Sequence, residues 1–158
     1  MKKFTMLLLS LMIATTAMAQ KTGIVDVRRV VAGYKQMETI NKELDKKRET
    51  AENDLAAGQV ALQKERMTLD EKGAKLTEAE KKAFDKKVQD FNAKVQRVQN
   101  ELMKAENDQM TTVQNKVNAA IKAVADTGKY DIILEYNAVL FAKEAEDVTP
   151  QVINQINK

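Results

Sequence analysis

The chain has 158 residues, no cysteine, histidine or tryptophan, a single proline (Pro150) and five glycines, and 31% of it is charged. That composition excludes a disulfide framework, a thiol nucleophile, a histidine-based acid/base or triad, and a Cys/His zinc site, because the groups those chemistries need are absent. With so few turn-forming residues, long helices are the natural reading, and 26 basic against 23 acidic residues give a formal charge of +3.

The first nineteen residues read as an export signal. Lys2 and Lys3 form a positive start, Phe4 to Ile13 is apolar apart from Thr5 and Ser10, and Ala17-Met18-Ala19 has the form of an A-x-A cleavage site. The apolar run is about ten residues, short of the roughly 20 that a spanning helix needs. The expectation is a cleaved signal peptide over 1–19 and a single domain over 20–158, soluble outside the cytoplasm; the lack of cysteine suits an oxidising compartment. Removing Lys2 and Lys3 leaves 24 basic against 23 acidic residues, a net charge of +1.

Thr22-Gly23-Ile24-Val25-Asp26-Val27 predicts a strand, with Asp26 placed to cap a helix begun directly after it. Val27, Val30, Val31 and Tyr34 then recur at helical spacing, Gly33 allows a break, and from Lys35 a charged helical stretch runs to Thr127. In its first half Leu44, Arg48, Ala51, Leu55, Gly58, Leu62, Glu65 and Leu69 step by four and three alternately. Phe84, Val88, Phe91, Val95, Val98 and Leu102 do the same in the second half. Met110, Val113, Val117, Ala120 and Val124 continue after an eight-residue step, one more than a heptad, which shifts the seam's phase near 105–109. A stripe this narrow buries itself only against one partner stripe.

The partner is the stretch itself, folded back. Gly73 suits a helix C-terminus, and Thr77-Glu78-Ala79-Glu80 is a capping box that restarts the helix. The result is an antiparallel helical hairpin over 35–127 with its tip near 70–77, and helices of roughly 35 and 50 residues extend on the order of 50 to 75 Å. From Lys64 to Lys87 eight basic residues face six acidic ones, which reads mainly as a solvated surface with intrahelical ion pairs such as Glu78 with Lys82. A weak contact with an anionic membrane surface is the functional alternative for this tip.

Gly128 ends the second helix. Tyr130-Asp131-Ile132-Ile133-Leu134-Glu135 and Ala138-Val139-Leu140-Phe141 predict two strands joined by a turn at Tyr136-Asn137. Thr149-Pro150 predicts the cap and first residue of a final helix with Val152, Ile153 and Ile156 on its apolar face. A body made of 20–34 and 128–158 thus holds three strands and a short helix. So small a sheet has open edges and is expected to associate with other copies. The fold class expected is mainly α with a small β body from which a long antiparallel coiled-coil hairpin projects.

The order of elements, with Gly23-Ile24-Val25-Asp26 near the start and Tyr130 to Val139 followed by Asp147-Val148-Thr149-Pro150 near the end, resembles the Skp/OmpH family of periplasmic chaperones. The resemblance spans the whole of 20–158 and is most specific in Asn137-Ala138-Val139 and Asp147-Val148-Thr149. It implies a periplasmic homotrimer whose strands form a shared trimerisation body and whose hairpins surround a cavity like tentacles. It also implies that the cavity holds unfolded outer-membrane β-barrel proteins before membrane insertion and prevents their aggregation without ATP. For the trimer body the residues indicated are Ile24, Val25, Val27, Ile132, Ile133, Leu134 and Val139; for client contact, Val60, Met67, Leu76 and Met103, which lie off or at the edge of the seam. The near-neutral charge departs from the more basic tentacles of better-known members, so no lipid or lipopolysaccharide site is carried over.

No cofactor, metal or catalytic residue is indicated, and the many carboxylates have no pocket-like context, so the chain is not expected to be an enzyme. Nucleic-acid binding is disfavoured by the +1 charge, the signal peptide and the lack of a basic stripe with interleaved aromatics. A structural coiled-coil spacer or adaptor of the envelope is the alternative, although it gives no reason for strands at both ends to converge.

Overall fold

A computed structural model describes residues 20–143 and 145–158; the signal peptide expected over 1–19 lies outside the described residues. The chain runs β1 (Thr22–Val25), α1 (Val27–Ala32), α2 (Met37–Lys72), α3 (Glu78–Gly128), β2 (Ile132–Glu135), β3 (Glu146–Asp147) and α4 (Thr149–Ile156), with tight helical turns at Gly73–Lys75 and Tyr136–Ala138. The fold is therefore mainly helical with a three-stranded sheet at one end.

Each helix boundary has a local cause. Asp26 ends β1 and accepts a hydrogen bond from the Arg29 N–H at 3.0 Å, capping α1 as its position predicts. At the tip Gly73 takes φ 49°, a conformation that costs other residues their Cβ clearance. The capping box then forms in full: the Thr77 hydroxyl accepts from the Glu80 N–H, and the Glu80 carboxylate accepts from the Thr77 N–H at 3.0 Å. At the far end of α3 the left-handed residue is Lys129 (φ 53°), one beyond Gly128.

The two long helices have 36 and 51 residues, about 54 and about 76 Å at a rise of 1.5 Å per residue. They close along the predicted seam. Leu44, Ala51, Leu55, Gly58, Leu62, Glu65 and Leu69 on α2 are half-buried, as are Phe84, Val88, Phe91, Val95, Val98 and Leu102 on α3. Gly58 is needed there because a Cβ would come 2.7 Å from the Phe91 ring. Met110 departs from the prediction: it is exposed, and the seam passes instead through Ala105 and Gln109 to Val113. The phase shift is absorbed by consecutive steps of four, which rotate Met110 off the seam.

The sheet order is β2-β1-β3, with both outer strands parallel to the central β1; Thr22 lies opposite Ile132, Ile24 opposite Leu134, and Gly23 opposite Glu146. The whole helical hairpin is thus the crossover that parallel pairing of β1 with β2 requires. The predicted strand at 138–141, and with it the β-hairpin, does not form. The Glu135 carboxylate accepts from the Asn137 N–H (2.7 Å) and side-chain amide (2.9 Å), winding Tyr136–Ala138 into a tight turn. The free edge of β1 goes to Glu146–Asp147 instead.

Thr149 is also not the cap of α4. It is fully buried inside the helix start, where its hydroxyl accepts the Asp26 N–H at 2.9 Å and its own N–H donates to Asp147 at 2.9 Å. The core is Val25, Val30, Tyr34, Val113, Val117, Ala120, Val148 and Val152, so the last third of α3 runs behind the sheet and belongs to the body as well as to the hairpin. Asn157 ties the C-terminus down: its amide donates to the carbonyls of Gly33 and Ile153, both at 2.8 Å, and its oxygen accepts from the Lys35 N–H at 2.8 Å.

Candidate functional site

No residue of α2 is buried, and α3 buries residues only where it enters the body. The hairpin therefore presents nearly all of its surface to solvent, including apolar side chains that its own packing does not consume. Val60 (49% exposed) and Met67 (59%) stand one heptad apart on the face of α2 turned away from the seam. Met103 (56%) and Met110 (69%) stand one heptad apart on α3. Leu76, the fourth residue predicted for client contact, is half-buried at the tip, where its N–H donates to the Gly73 carbonyl at 3.1 Å. Met110 was placed on the seam by sequence; its spacing of seven from Met103 is the signal that links them.

Two clefts open where small or polar seam residues leave the helices apart. One of about 640 Å³ lies beside Thr50, Ala51 and Asp54 on α2 and Val98, Leu102 and Ala105 on α3. Another of about 250 Å³ lies at the hairpin base between Met37, Ile40, Leu44, Gln109, Met110 and Val113. Cross-helix ion pairs set the register between them and the tip: Arg48 with Glu106 (2.8 Å), Lys94 with Asp54 (2.6 Å), Lys87 with Glu65 (2.7 Å) and Lys72 with Glu80. All lie at the surface with each side chain about a third or more open to solvent, where such pairs contribute about 0.2–1 kcal/mol each. The pairing expected between Glu78 and Lys82 is replaced by Glu78 with Lys81 at 2.7 Å.

Displaced titrations have structural causes. Lys72 and then Thr77 hold the Glu80 carboxyl down at about 2, and Thr149 and then Arg29 lower that of Asp147. The Glu106 carboxylate raises Arg48. Tyr130 is pushed up to about 12 chiefly by donating to Glu146, while Lys21 Nζ sits 4.1 Å above its ring. Among the described residues no group of three or more Asp, Glu, His or Cys side chains is arranged to hold a metal, and no helix is long and apolar enough to cross a membrane.

The body presents a second apolar surface. The seven residues predicted for the trimer body do not share one face. Val25 is in the chain's own core, Val27 and Ile133 pack against that core, and Ile24 and Val139 are half-buried. Ile132 (39%) and Leu134 (37%) point outward from edge strand β2, as alternation along a strand requires. Tyr136 (60%), Leu140 (103%) and Phe141 (85%) are exposed as well. Leu140 and Phe141 belong to the apolar run 138–141, which has no strand to pair with.

A three-stranded body with unpaired edges carries a long two-helix arm from which Val60, Met67, Met103 and Met110 project exposed apolar side chains. The chain belongs to the family of outer membrane proteins described as OmpH-like, which it matches over residues 21–156. It is similar to the chaperone protein Skp of Yersinia enterocolitica, 24% identical over 152 residues that cover 94% of this chain and 93% of that one. The chaperone protein Skp of Pectobacterium atrosepticum is also 24% identical, over 147 residues covering 90% and 89%. The crystal structure of an OmpH-like protein from Caulobacter crescentus superposes with a TM-score of 0.64 at 20% identity over 88% of this chain and 85% of that one, which makes the fold a shared one.

Proposed function

We propose that the chain is an ATP-independent holdase chaperone of the periplasm, a homotrimer that keeps unfolded outer-membrane β-barrel proteins from aggregating before insertion. The observation that carries this reading is the hairpin itself: Val60, Met67, Met103 and Met110 stand exposed on a long arm whose α2 buries nothing. Unfolded barrel strands expose alternating apolar residues and unpaired edges. Many small contacts to adaptable methionine and valine side chains cover such strands without trapping them, because each contact is weak and the sum is not. Family membership and the likeness to two proteins named as Skp chaperones support the same reading.

In this reading the body, 20–34 with 128–158, is the assembly unit, and Ile132, Leu134, Leu140 and Phe141 are what a neighbouring copy covers. The hairpin over 35–127 is the client-holding arm. Contact of the tip with a membrane is weak in this reading, because Arg66, Lys72, Lys81 and Lys87, four of the eight basic residues between 64 and 87, are paired with Asp70, Glu80, Glu78 and Glu65. The test is dilution of a urea-denatured outer-membrane β-barrel protein into buffer with and without the chain from Gln20 onward, followed by light scattering. Suppression at molar excess of trimer is expected; unchanged aggregation refutes the proposal.

A further inference from the structure

The chain has no cysteine, histidine or tryptophan, so methionine is the side chain that a two-electron oxidant meets first. Four methionines lie beyond residue 19: Met37, Met67, Met103 and Met110. Met67, Met103 and Met110 are each more than half exposed and sit on the hairpin, away from the core. Met37 is half-buried against that core and lines the basal cleft together with Met110. The molecule therefore holds three open thioethers on the surface assigned to clients, and a shielded fourth as an internal control.

We infer that Met67, Met103 and Met110 form a modification site for peroxides, and that their conversion to sulfoxide loosens the grip on unfolded chains without disturbing the fold. The thioether sulfur attacks one oxygen of hydrogen peroxide. An S–O bond forms as the O–O bond breaks, and the departing hydroxide takes the proton of the transferred oxygen and leaves as water. Sulfur is oxidised by two electrons and the peroxide is reduced by two. A sulfoxide reductase reverses the change, with two thiols becoming a disulfide and the oxygen leaving as water. The product is polar and chiral where the thioether was apolar and adaptable, so it withdraws the contacts the holdase reading assigns to these positions. Body and seam depend on none of the three. The inference rests on that holdase reading for its effect, though not for the order in which the methionines react.

The chain from Gln20 onward is treated with hydrogen peroxide, quenched with catalase, and divided between peptide mass mapping, circular dichroism and the aggregation assay. Oxygen is expected on Met67, Met103 and Met110 before Met37, with helicity unchanged and about threefold more protein or greater needed for half-suppression. A Met67→Leu/Met103→Leu/Met110→Leu variant is compared with itself: whatever its own ratio for half-suppression, peroxide is expected to leave that ratio unchanged. Three sulfoxides with unaltered suppression overturn the inference, as does reaction of Met37 first with loss of helicity, or a triple-leucine variant equally impaired by peroxide. If untreated protein fails to suppress aggregation, the holdase reading falls and the effect on clients with it, while the order of reaction still decides the modification site.

Discussion

The two ends of the molecule solve opposite problems. In the body, Val30, Val148, Thr149 and Val152 are fully buried, and side chains from α1, α3, α4 and the sheet meet in one core. In the hairpin, α2 runs 36 residues without burying one, held by a thin seam, exposed ion pairs and the cap at its tip. Concentrating the core at one end leaves the arm free to carry apolar side chains outward, which a compact domain of this size would draw inside. Stability and exposed apolar surface are thereby separated along the chain, and a substitution should affect one without the other.

The strongest break in that division comes from charging the core. Val30→Asp or Val152→Asp places an unpaired carboxylate at a fully buried position, and a cost of about 4 kcal/mol or more is expected, with the cooperative thermal transition lost. Ile132→Asp and Leu134→Asp should act differently. Both side chains are already partly exposed on β2, so the chain should stay folded; if the proposed homotrimer forms through this edge, gel filtration with light scattering should show a trimer for the unaltered chain and a monomer for either variant. Thr149→Val is milder: it strands the Asp26 N–H that the hydroxyl satisfies, at about 1–3 kcal/mol in a denaturant titration.

The smallest effect belongs to the tip. The folded Glu80 carboxyl titrates near 2 rather than the usual 4.5, so the clasp it makes with Lys72 and Thr77 is fully present above about pH 4.5 and is lost as pH falls toward 2. Amide protection at 77–81, taken relative to the intrinsic exchange rate at each pH, should fall over that window while the body stays protected, and Glu80→Gln should show the lowered protection at neutral pH. Loss of protection throughout the body at the same pH would mean that the two ends are not separable.

The hairpin was legible because its signals are local or periodic. Leu44 to Leu69 and Phe84 to Leu102 repeat at a spacing that only a narrow helical seam satisfies, and Gly73 with Thr77 and Glu80 marks the turn by chemistry readable within eight residues. The body was less so because its decisive contacts join residues more than a hundred positions apart. Glu146–Asp147 has no strand propensity and is a strand only because β1 has a free edge beside it. Val139-Leu140-Phe141 has that propensity and no edge to join. Thr149 looks like a helix cap in sequence, yet its hydroxyl serves the Asp26 N–H on the other side of the body. On the arm, Val60, Met67 and Met103 were identifiable as off the seam, whereas the exposure of Met110 depended on how the helix absorbs one extra residue between heptads.

The claim that the arm holds unfolded chains has a direct optical test. The protein contains no tryptophan, so the tryptophan emission of an outer-membrane β-barrel client diluted from urea can be followed without background as the chain from Gln20 onward is added. A blue shift that saturates with added protein, and weakens when Met67, Met103 and Met110 are changed to serine together, is the predicted result. Emission that does not respond, or a response identical in the triple-serine protein, would contradict the account.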